Sequence, residues 1–191
     1  MKPEEMKEEL PEELNAAYVE ETDEEWQVNC DKFFEEHPDC PIVEPVECLN
    51  LIMKREFAEK ILTGEKKVEF RDCSEHYCKR LISQEMLDYI DKKLDDKNDP
   101  DFALAVDNYI SSLRPVETIH FHNYNNTWFL DVRVKVNEII SITDEDVKFL
   151  QDEFNCHECD EDLEYYNKHP RMERPSYFYF VIDEVLDTNL E

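Results

Sequence analysis

Residues 49–71 of the chain read LNLIMKREFAEKILTGEKKVEFR, and this pattern decides the fold of the central region. Cys48 to Met53 is largely apolar and predicts a strand. Arg55 to Thr63 places apolar side chains at helical spacing and is followed by Gly64, which predicts a short helix closed by a left-handed glycine. Lys67 to Arg71 alternates between charged and apolar residues. The stretch therefore predicts a strand, a helix and a second strand.

The second half of the chain predicts a hairpin and a closing strand. Residues 119–122 alternate apolar and histidine side chains, and the Asn-rich stretch 123–126 has turn chemistry. The strand that follows is expected to place five apolar residues on one face: Trp128, Leu130, Val132, Val134 and Val136. Ser176 to Val185 is apolar at nearly every position, which predicts a strand buried on both faces.

These elements predict an α+β fold. About five to six short strands with short helices favour a small β-barrel, closed or nearly closed, because closure removes exposed strand edges. Asp144 to Phe154 is expected to form a helix behind a Ser-Ile-Thr cap. Residues 81–113 are polar and helical in pattern, and they interrupt the strands on either side. We interpret them as an insertion.

The charge of the chain is strongly acidic and unevenly distributed. Its 191 residues include 49 acids and 21 bases, a formal net charge of −28. Residues 1–47 carry 17 acids and 3 bases, whereas residues 48–80 carry 8 bases and 6 acids. So negative a field repels phosphate backbones, which excludes extended duplex DNA as a partner and restricts any nucleic-acid contact to a local patch. The single glycine, Gly64, also argues against glycine-rich phosphate loops.

Residues 1–45 predict an acidic helical extension that precedes a main domain over residues 46–191. Thr22 and Glu25 have the spacing of a capping box. An apolar stripe follows at helical intervals: Trp26, Cys30, Phe33 and Phe34. Two interpretations remain open, since the stripe can dock on the main domain as additional core or can bind a partner protein.

The run from Leu49 to Arg71 resembles the ASCH domain, the activating-signal-cointegrator homology family. The pattern of that family is an opening strand, a helix ending in Ile-x-x-Gly, and then Gly-x-Lys-x-x-Glu-x-Arg. Gly64, Lys66, Glu69 and Arg71 match the last part. The resemblance implies a PUA-like β-barrel for the main domain, with a cleft that binds RNA or a nucleotide-like small molecule.

The side chains of the motif suit such a ligand. Lys66 follows a sharp turn, and Glu69 and Arg71 project from one face of the strand. A lysine, a glutamate and an arginine that converge on a cleft suit a ligand with both an anionic group and hydrogen-bonding edges. Lys54 is a further candidate contact on the flank. By spacing alone, Glu69 and Arg71 can instead be a surface ion pair worth under about 1 kcal/mol.

The resemblance also implies an enzymatic alternative. Some small ASCH proteins are amidohydrolases that remove the acetyl group from N4-acetylcytidine, with a lysine, a threonine three residues later and a glutamate on a later segment. Lys66 matches that lysine and is the candidate catalytic residue. Glu69 stands at the threonine position. The sequence does not place the later glutamate, because helix 144–154 and its surroundings offer several acids.

The cysteines offer weak candidates for a structural zinc ion. Cys156 and Cys159 form a Cys-x-x-Cys, and Cys73 and Cys78 lie in a second cluster. Tetrahedral zinc needs four ligands, so the two clusters would have to meet across the fold. The odd total of seven cysteines favours free thiols in a reducing compartment over a disulfide framework. The sequence therefore predicts no metal and no other cofactor.

The remaining features concern location and partners. The sequence has no signal-peptide pattern and no apolar run of membrane-spanning length, so we expect a cytoplasmic protein without a membrane partner. The expected ligand is RNA or a nucleotide-like small molecule. A third hypothesis is a protein-interaction module whose acidic surface binds a basic partner, and regularly spaced carboxylates across one face would distinguish it.

Overall fold

A computed structural model of the chain describes residues 32–95, 97, 99, 102, 105 and 111–190. The chain divides into two compact units, Met1–Cys40 and Pro41–Glu191. The described part of the first unit contains a short helix at 32–36.

The apolar stripe predicted near the amino terminus falls partly within the described residues. Phe33 and Phe34 pack edge to face, with their ring centroids 5.5 Å apart. Trp26 and Cys30 lie outside the described residues, and so does the predicted capping box at 22–25.

The second unit is an α+β fold around one mixed sheet that curls into a half-barrel. Its strands are β1 (Val46–Ile52), β2 (Val68–Asp72), β3 (Val116–His122), β4 (Phe129–Ser141) and β5 (Ser176–Thr188). The order across the sheet is β1-β3-β4-β5-β2, with β1 parallel to β3 and every other pair antiparallel. The α+β class and the small curled sheet are confirmed, and the described strands form a half-barrel rather than a closed one.

The helices flank this sheet at its connections. They are α1 (Arg55–Leu62), α2 (Glu75–Leu81), α3 (Gln84–Asp95), α4 (Asp144–Phe154) and α5 (Asp160–Lys168). α1 connects β1 to β2, while α4 and α5 connect β4 to β5. The strand-helix-strand order predicted for the central region is therefore present.

Both faces of the sheet carry apolar clusters, because β5 is apolar at successive positions. Phe178 and Phe180 belong to a first core that also contains Leu51 of β1 and Ile61 of α1. Tyr179 and its neighbours on the opposite face belong to a second core, which packs against α4. The prediction of a strand buried on both faces is confirmed.

The long strand β4 changes cores along its length. Its pairing with β5 shifts register around Val134, so that Val134 is opposite Ile182 whereas Val136 is opposite Val181. Ile182 packs on the first core and Val181 on the second. Val136 is 37% exposed, so the expectation that it shares a buried face with the preceding apolar residues is wrong. A β-bulge is the physical reason, because an extra residue re-aims the side chains that follow it.

The end of α1 positions the residues that follow it. The Gly64 N–H donates to the Ile61 carbonyl at 2.9 Å, and Gly64 has a φ of +75°. Glycine adopts this left-handed conformation without the steric cost that a Cβ brings. The predicted left-handed cap is confirmed, and it turns the chain from α1 toward β2.

The ends of the polar segment 81–113 lie together. Ile82 and Leu113 form an isolated antiparallel bridge, and the Ser83 N–H donates to the Ser112 carbonyl at 2.7 Å. The segment thus leaves the fold and returns to it at one place. Among the described residues, no helix has the length and apolarity needed to cross a membrane.

Candidate ligand-binding site

Lys66 is a buried lysine at the turn between α1 and β2. Its main-chain N–H donates to the Lys60 carbonyl at 3.0 Å, which ties the turn to the helix that precedes it. Its side chain is only 5% exposed. The Nζ atom lies 5.9 Å from the ring centroid of Phe57 and 5.8 Å from that of Phe70. The ammonium is therefore placed between two aromatic rings in a largely dry setting.

Two carboxylates neutralise this ammonium. Lys66 Nζ lies 2.5 Å from Glu158 Oε1 and 3.4 Å from Glu69 Oε2. Burial of a cation is tolerated when it is paired and hydrogen-bonded, since an isolated charge costs far more. Glu69 is supplied by the next strand, whereas Glu158 comes from the connection between α4 and α5.

Arg71 completes the cluster and bridges two strands that are not neighbours in the sheet. One guanidinium nitrogen, Nη2, lies 2.8 Å from Glu69 Oε1 and donates to the Ile52 carbonyl at 3.1 Å. Ile52 ends β1 and Arg71 lies in β2, the two outermost strands. Arg71 Nε is buried and has no hydrogen-bond partner in the part of the chain that the structure describes. The site thus lies where Arg71 joins the two edge strands of the half-barrel.

The alternation of β2 explains why these groups face inward. Glu69 is opposite Phe180 and Arg71 is opposite Phe178 in the antiparallel pair with β5. Residues directly opposite each other project from the same face of a sheet. Both phenylalanines belong to the first core, so the charged side of β2 is directed to an apolar face rather than to solvent. The interpretation of Glu69 and Arg71 as a surface ion pair is therefore wrong.

The setting of Glu69 changes its acidity. Burial removes water from its carboxylate and raises the pKa above the ordinary value of 4.5. The nearby charge of Glu158 acts in the same direction, while Arg71 and Lys66 oppose it by favouring the carboxylate. Burial is the largest of these effects, so Glu69 accepts a proton more readily than an exposed glutamate does.

Lys66 and Glu158 both line two cavities. A cavity of about 320 Å³ is lined by a set of apolar and charged residues: Ile52, Met53, Lys54, Phe57, Lys66, Glu69, Phe70, Arg71 and Glu158. A second, of about 360 Å³, is also lined by Lys66 and Glu158. Small-molecule sites usually begin near 300 Å³. Each cavity is thus large enough for one small ligand.

The four residues expected to bind ligand all line the first cavity. Lys66 and Arg71 both pair with Glu69. Lys54 is at the rim, with its side chain 77% exposed and its Nζ 3.7 Å from Glu56 Oε1. The structure therefore brings the motif together and places Lys54 as an exposed flanking base.

Glu158 is the residue that sequence reasoning did not single out. It belongs to an acidic stretch, residues 144–164, with 10 acids and 1 base. It is separated from Lys66 by 92 positions along the chain. α4 ends at Asn155, which has a φ of 52°, and this left-handed residue turns the chain before Glu158. An asparagine at a helix end signals such a turn, but nothing local shows which acid points inward.

The two cysteine clusters do not come together as a four-ligand zinc site. Cys73 and Cys78 pack beside the first core, whereas Cys156 and Cys159 pack with the second. Among the described residues, no group of three or more histidine, cysteine, aspartate or glutamate side chains is arranged to hold a metal ion. The four-ligand hypothesis is therefore not supported, because the two clusters lie on opposite faces of the sheet. Burial raises the pKa of Cys159 to about 12, so this thiol is not poised as a thiolate.

The two histidines of β3 are satisfied by oxygen atoms. His120 Nδ1 lies 2.5 Å from Asp131 Oδ1, and His122 Nδ1 lies 2.9 Å from the Asn123 carbonyl oxygen. Their rings lie side by side, with centroids 5.5 Å apart. Both histidines are on β3, which pairs with β1, and neither lines the cavity of about 320 Å³ beside Lys66.

Compared with known proteins, the chain matches no family model, no curated protein and no solved structure. The conclusions below therefore depend on the geometry of the site and on the resemblance carried by residues 49–71.

Proposed function

We propose that residues 46–191 form an ASCH-type, PUA-like module that binds a nucleotide-like small molecule or a short RNA end beside Lys66, Glu69 and Arg71. The observation that carries the proposal is the convergence of these three charged groups on one cavity of about 320 Å³. Structural ion pairs usually lie on the surface, where they contribute little. A buried cluster beside an open space is a better candidate for ligand recognition.

The charge of the cavity wall suits a ligand that carries an anionic group. Three bases line the cavity, Lys54, Lys66 and Arg71, against the two acids Glu69 and Glu158. This local excess of one positive charge contrasts with the net charge of −28 for the whole chain. A local patch of this kind attracts a phosphate without offering it an extended path, which favours a mononucleotide or a strand end over a long duplex.

The remaining wall suits a planar ring. Phe57 and Phe70 flank Lys66, and Met53 lies at the same cavity. Aromatic side chains stack on nucleobases without regard to sequence. The carboxylate of Glu69 accepts hydrogen bonds from the N–H edge of a base, and Arg71 donates to its carbonyl groups. The cavity thus offers both parts of nucleotide recognition.

Binding measurements on the whole chain test the proposal. Calorimetric titration with the four ribonucleosides, their 5′-monophosphates and short single-stranded RNA is expected to show binding by at least one of them. Arg71→Ala is expected to weaken that binding by tenfold or more, since a charge-assisted hydrogen bond is worth about 1.5–3 kcal/mol. RNA binding is expected to fall as salt rises.

Arg133→Ala is the matched control. Arg133 pairs with Glu184 at 3.2 Å on an exposed part of the sheet and lines neither cavity at Lys66. An equal loss of affinity in both variants would point to a general charge effect rather than a site. Absence of binding to every probe would overturn the proposal.

A second function is favoured by the Lys66–Glu158 contact. The amidohydrolase alternative requires a glutamate from a later segment near the motif lysine, and Glu158 is such a residue. In that reaction water adds to the acetyl carbonyl carbon, the bond to the amino nitrogen breaks, and acetate and the free amine leave. The Lys66 ammonium would donate to the carbonyl oxygen, while a carboxylate would take a proton from water and then pass it to the leaving nitrogen.

Glu69 at the threonine position is the weak point of this alternative. Incubation with N4-acetylcytidine decides it: the wild type is expected to release cytidine and acetate, and Lys66→Met to release neither. If the wild type leaves the substrate intact, the module is a binding protein only. We place either activity in the cytoplasm, because an odd total of seven cysteines favours a reducing compartment.

A further inference from the structure

We propose that the Glu158 carboxylate occupies the anion subsite of the cavity at Lys66, and that the phosphate of an incoming nucleotide replaces it on the Lys66 ammonium. This inference rests on the proposed function and narrows it, because it requires a phosphate-bearing ligand rather than a neutral nucleoside. Glu158 would then act as a specificity-determining residue that favours doubly charged groups over weaker anions.

The two carboxylates on Lys66 differ sharply in burial. The side chain of Glu69 is 7% exposed, whereas that of Glu158 is 47% exposed although it makes the shorter contact. Glu69 also has Arg71 as a second partner. A half-exposed carboxylate returns to water at little cost, while a buried one does not. Glu158 is therefore the partner of Lys66 that can leave.

The backbone near Glu158 allows its side chain to move alone. Glu158 lies in the connection between α4 and α5, outside both helices. The main chain on either side of it is hydrogen-bonded: the Cys156 N–H donates to the Leu150 carbonyl at 3.1 Å, and the Asp160 N–H donates to the His157 carbonyl at 3.3 Å. The Glu158 side chain can therefore swing outward while its main chain stays in place.

Removal of the Glu158 side chain opens the space that a nucleotide needs. Lys66 and Glu158 line both the cavity of about 320 Å³ and that of about 360 Å³. When Glu158 swings out, the two cavities communicate past the ammonium. A base can then occupy the aromatic side near Phe57 while its phosphate lies on Lys66.

The charges left behind favour a phosphate over the carboxylate it replaces. Without Glu158, the cluster holds Lys66 and Arg71 against the single carboxylate of Glu69, an excess of one positive charge. A phosphate monoester carries about 1.5 to 2 negative charges at neutral pH and has three acceptor oxygens. It thus exceeds the glutamate in both charge and hydrogen-bonding capacity.

Glu158→Gln tests this inference, because it removes the charge and keeps the size. The probes are the four ribonucleoside 5′-monophosphates, the matching nucleosides and inorganic phosphate. The variant is expected to bind inorganic phosphate and the monophosphates about fivefold more tightly or better, since one competing anion is gone. Affinity for the uncharged nucleosides is expected to change less than twofold. Glu158→Ala is expected to behave in the same way.

Glu65→Gln is the matched control. Glu65 lines the same cavity of about 360 Å³ and pairs with Lys60 at 3.5 Å, but it has no ion pair with Lys66. It is expected to change phosphate affinity less than twofold. An equal gain from Glu65→Gln would show that general repulsion, and not occupation of the subsite, is responsible, and would overturn the inference.

The remaining outcomes separate this inference from the proposed function. If the wild type binds a nucleotide and Glu158→Gln binds phosphate groups no better, the inference is wrong and the binding function stands. If Glu158→Gln weakens nucleotide binding, Glu158 accepts a hydrogen bond from the ligand and the inference is likewise wrong. If no probe binds the wild type and Glu158→Gln fails to bind inorganic phosphate, both are wrong.

Discussion

Two lysine–glutamate pairs at the turn between α1 and β2 lie in opposite environments. On α1, Lys60 pairs with Glu65 at 3.5 Å, and both side chains are about half exposed or more. A few residues later, Lys66 and Glu69 form a pair of similar length that is almost fully buried. The difference teaches that pairing alone does not mark a functional group. Burial beside a cavity is the better indicator, because the burial of a charge carries a large desolvation cost, and such costs are concentrated at functional sites.

The largest expected effect comes from removal of Glu69, the acid of the buried pair. Glu69→Ala leaves the Arg71 guanidinium and part of the Lys66 ammonium without their buried partner. Loss of one member of a buried pair costs about 3–5 kcal/mol, and we expect about 3 because Glu158 still contacts Lys66. Urea unfolding measures the loss. Glu65→Ala on the exposed side is expected to cost under about 0.5 kcal/mol, and similar losses in both variants would contradict the comparison.

The second prediction concerns pH and the same glutamate. Because burial raises the pKa of Glu69 above 4.5, the folded chain binds this proton more tightly than the unfolded chain does. The free energy of unfolding gains from Glu69 at low pH and loses that gain as pH rises from 4.5 through the folded pKa. The slope is at most about 1.4 kcal/mol per pH unit.

Glu69→Gln isolates this contribution. The difference in unfolding free energy between wild type and variant is expected to change with pH only between 4.5 and the folded pKa of Glu69, and to be constant at higher pH. A parallel curve for Glu69→Gln would show that the pKa of Glu69 is the same in the folded and unfolded chain.

Local sequence patterns predict much of the region from α1 to β2. The helix α1, its glycine and the alternation of β2 follow from local spacing, and the structure contains all three. Spacing alone left Glu69 and Arg71 open as a surface ion pair, and the family resemblance was what implied a cleft lined by Lys66, Glu69 and Arg71. Local patterns are sufficient for the helix, its cap and the strand because the residues of each are neighbours in the chain.

The rest of the site depends on contacts that local patterns do not encode. Glu158 reaches Lys66 only because β5 pairs with both β4 and β2, which brings the α4–α5 connection beside the first turn of the motif. The parallel pairing of β1 with β3 was not predicted either. A bulge re-aimed Val136, since period-two alternation takes no account of an extra residue. α5 was missed because four of its nine residues are acids, and the two side chains that pack on the second core, Leu163 and Tyr166, are too few to give a clear helical period.

The third prediction concerns Gly64, in the turn between α1 and β2. Gly64→Ala adds a Cβ at a φ of +75°, where nothing else lies within 4 Å, so the cost comes from the backbone alone. We expect a loss of about 1 kcal/mol in the free energy of unfolding. Gly64→Asn is the control, because asparagine tolerates this conformation, as Asn155 does at a φ of 52°. A larger loss for asparagine than for alanine would contradict a purely conformational role.

The smallest expected effect is the coupling within the exposed pair. A double-mutant cycle with Lys60→Ala and Glu65→Ala is expected to give under about 0.5 kcal/mol, because water and salt screen both charges. The same cycle with Arg71→Ala and Glu69→Ala is expected to give at least about 1.5 kcal/mol, since the contact of 2.8 Å is charge-assisted and largely removed from water. Added salt should abolish the first coupling and spare most of the second. Two couplings of equal size and equal salt dependence would mean that water reaches the Glu69 carboxylate as freely as Glu65, and the cluster would then lose its claim to be a preorganised binding site.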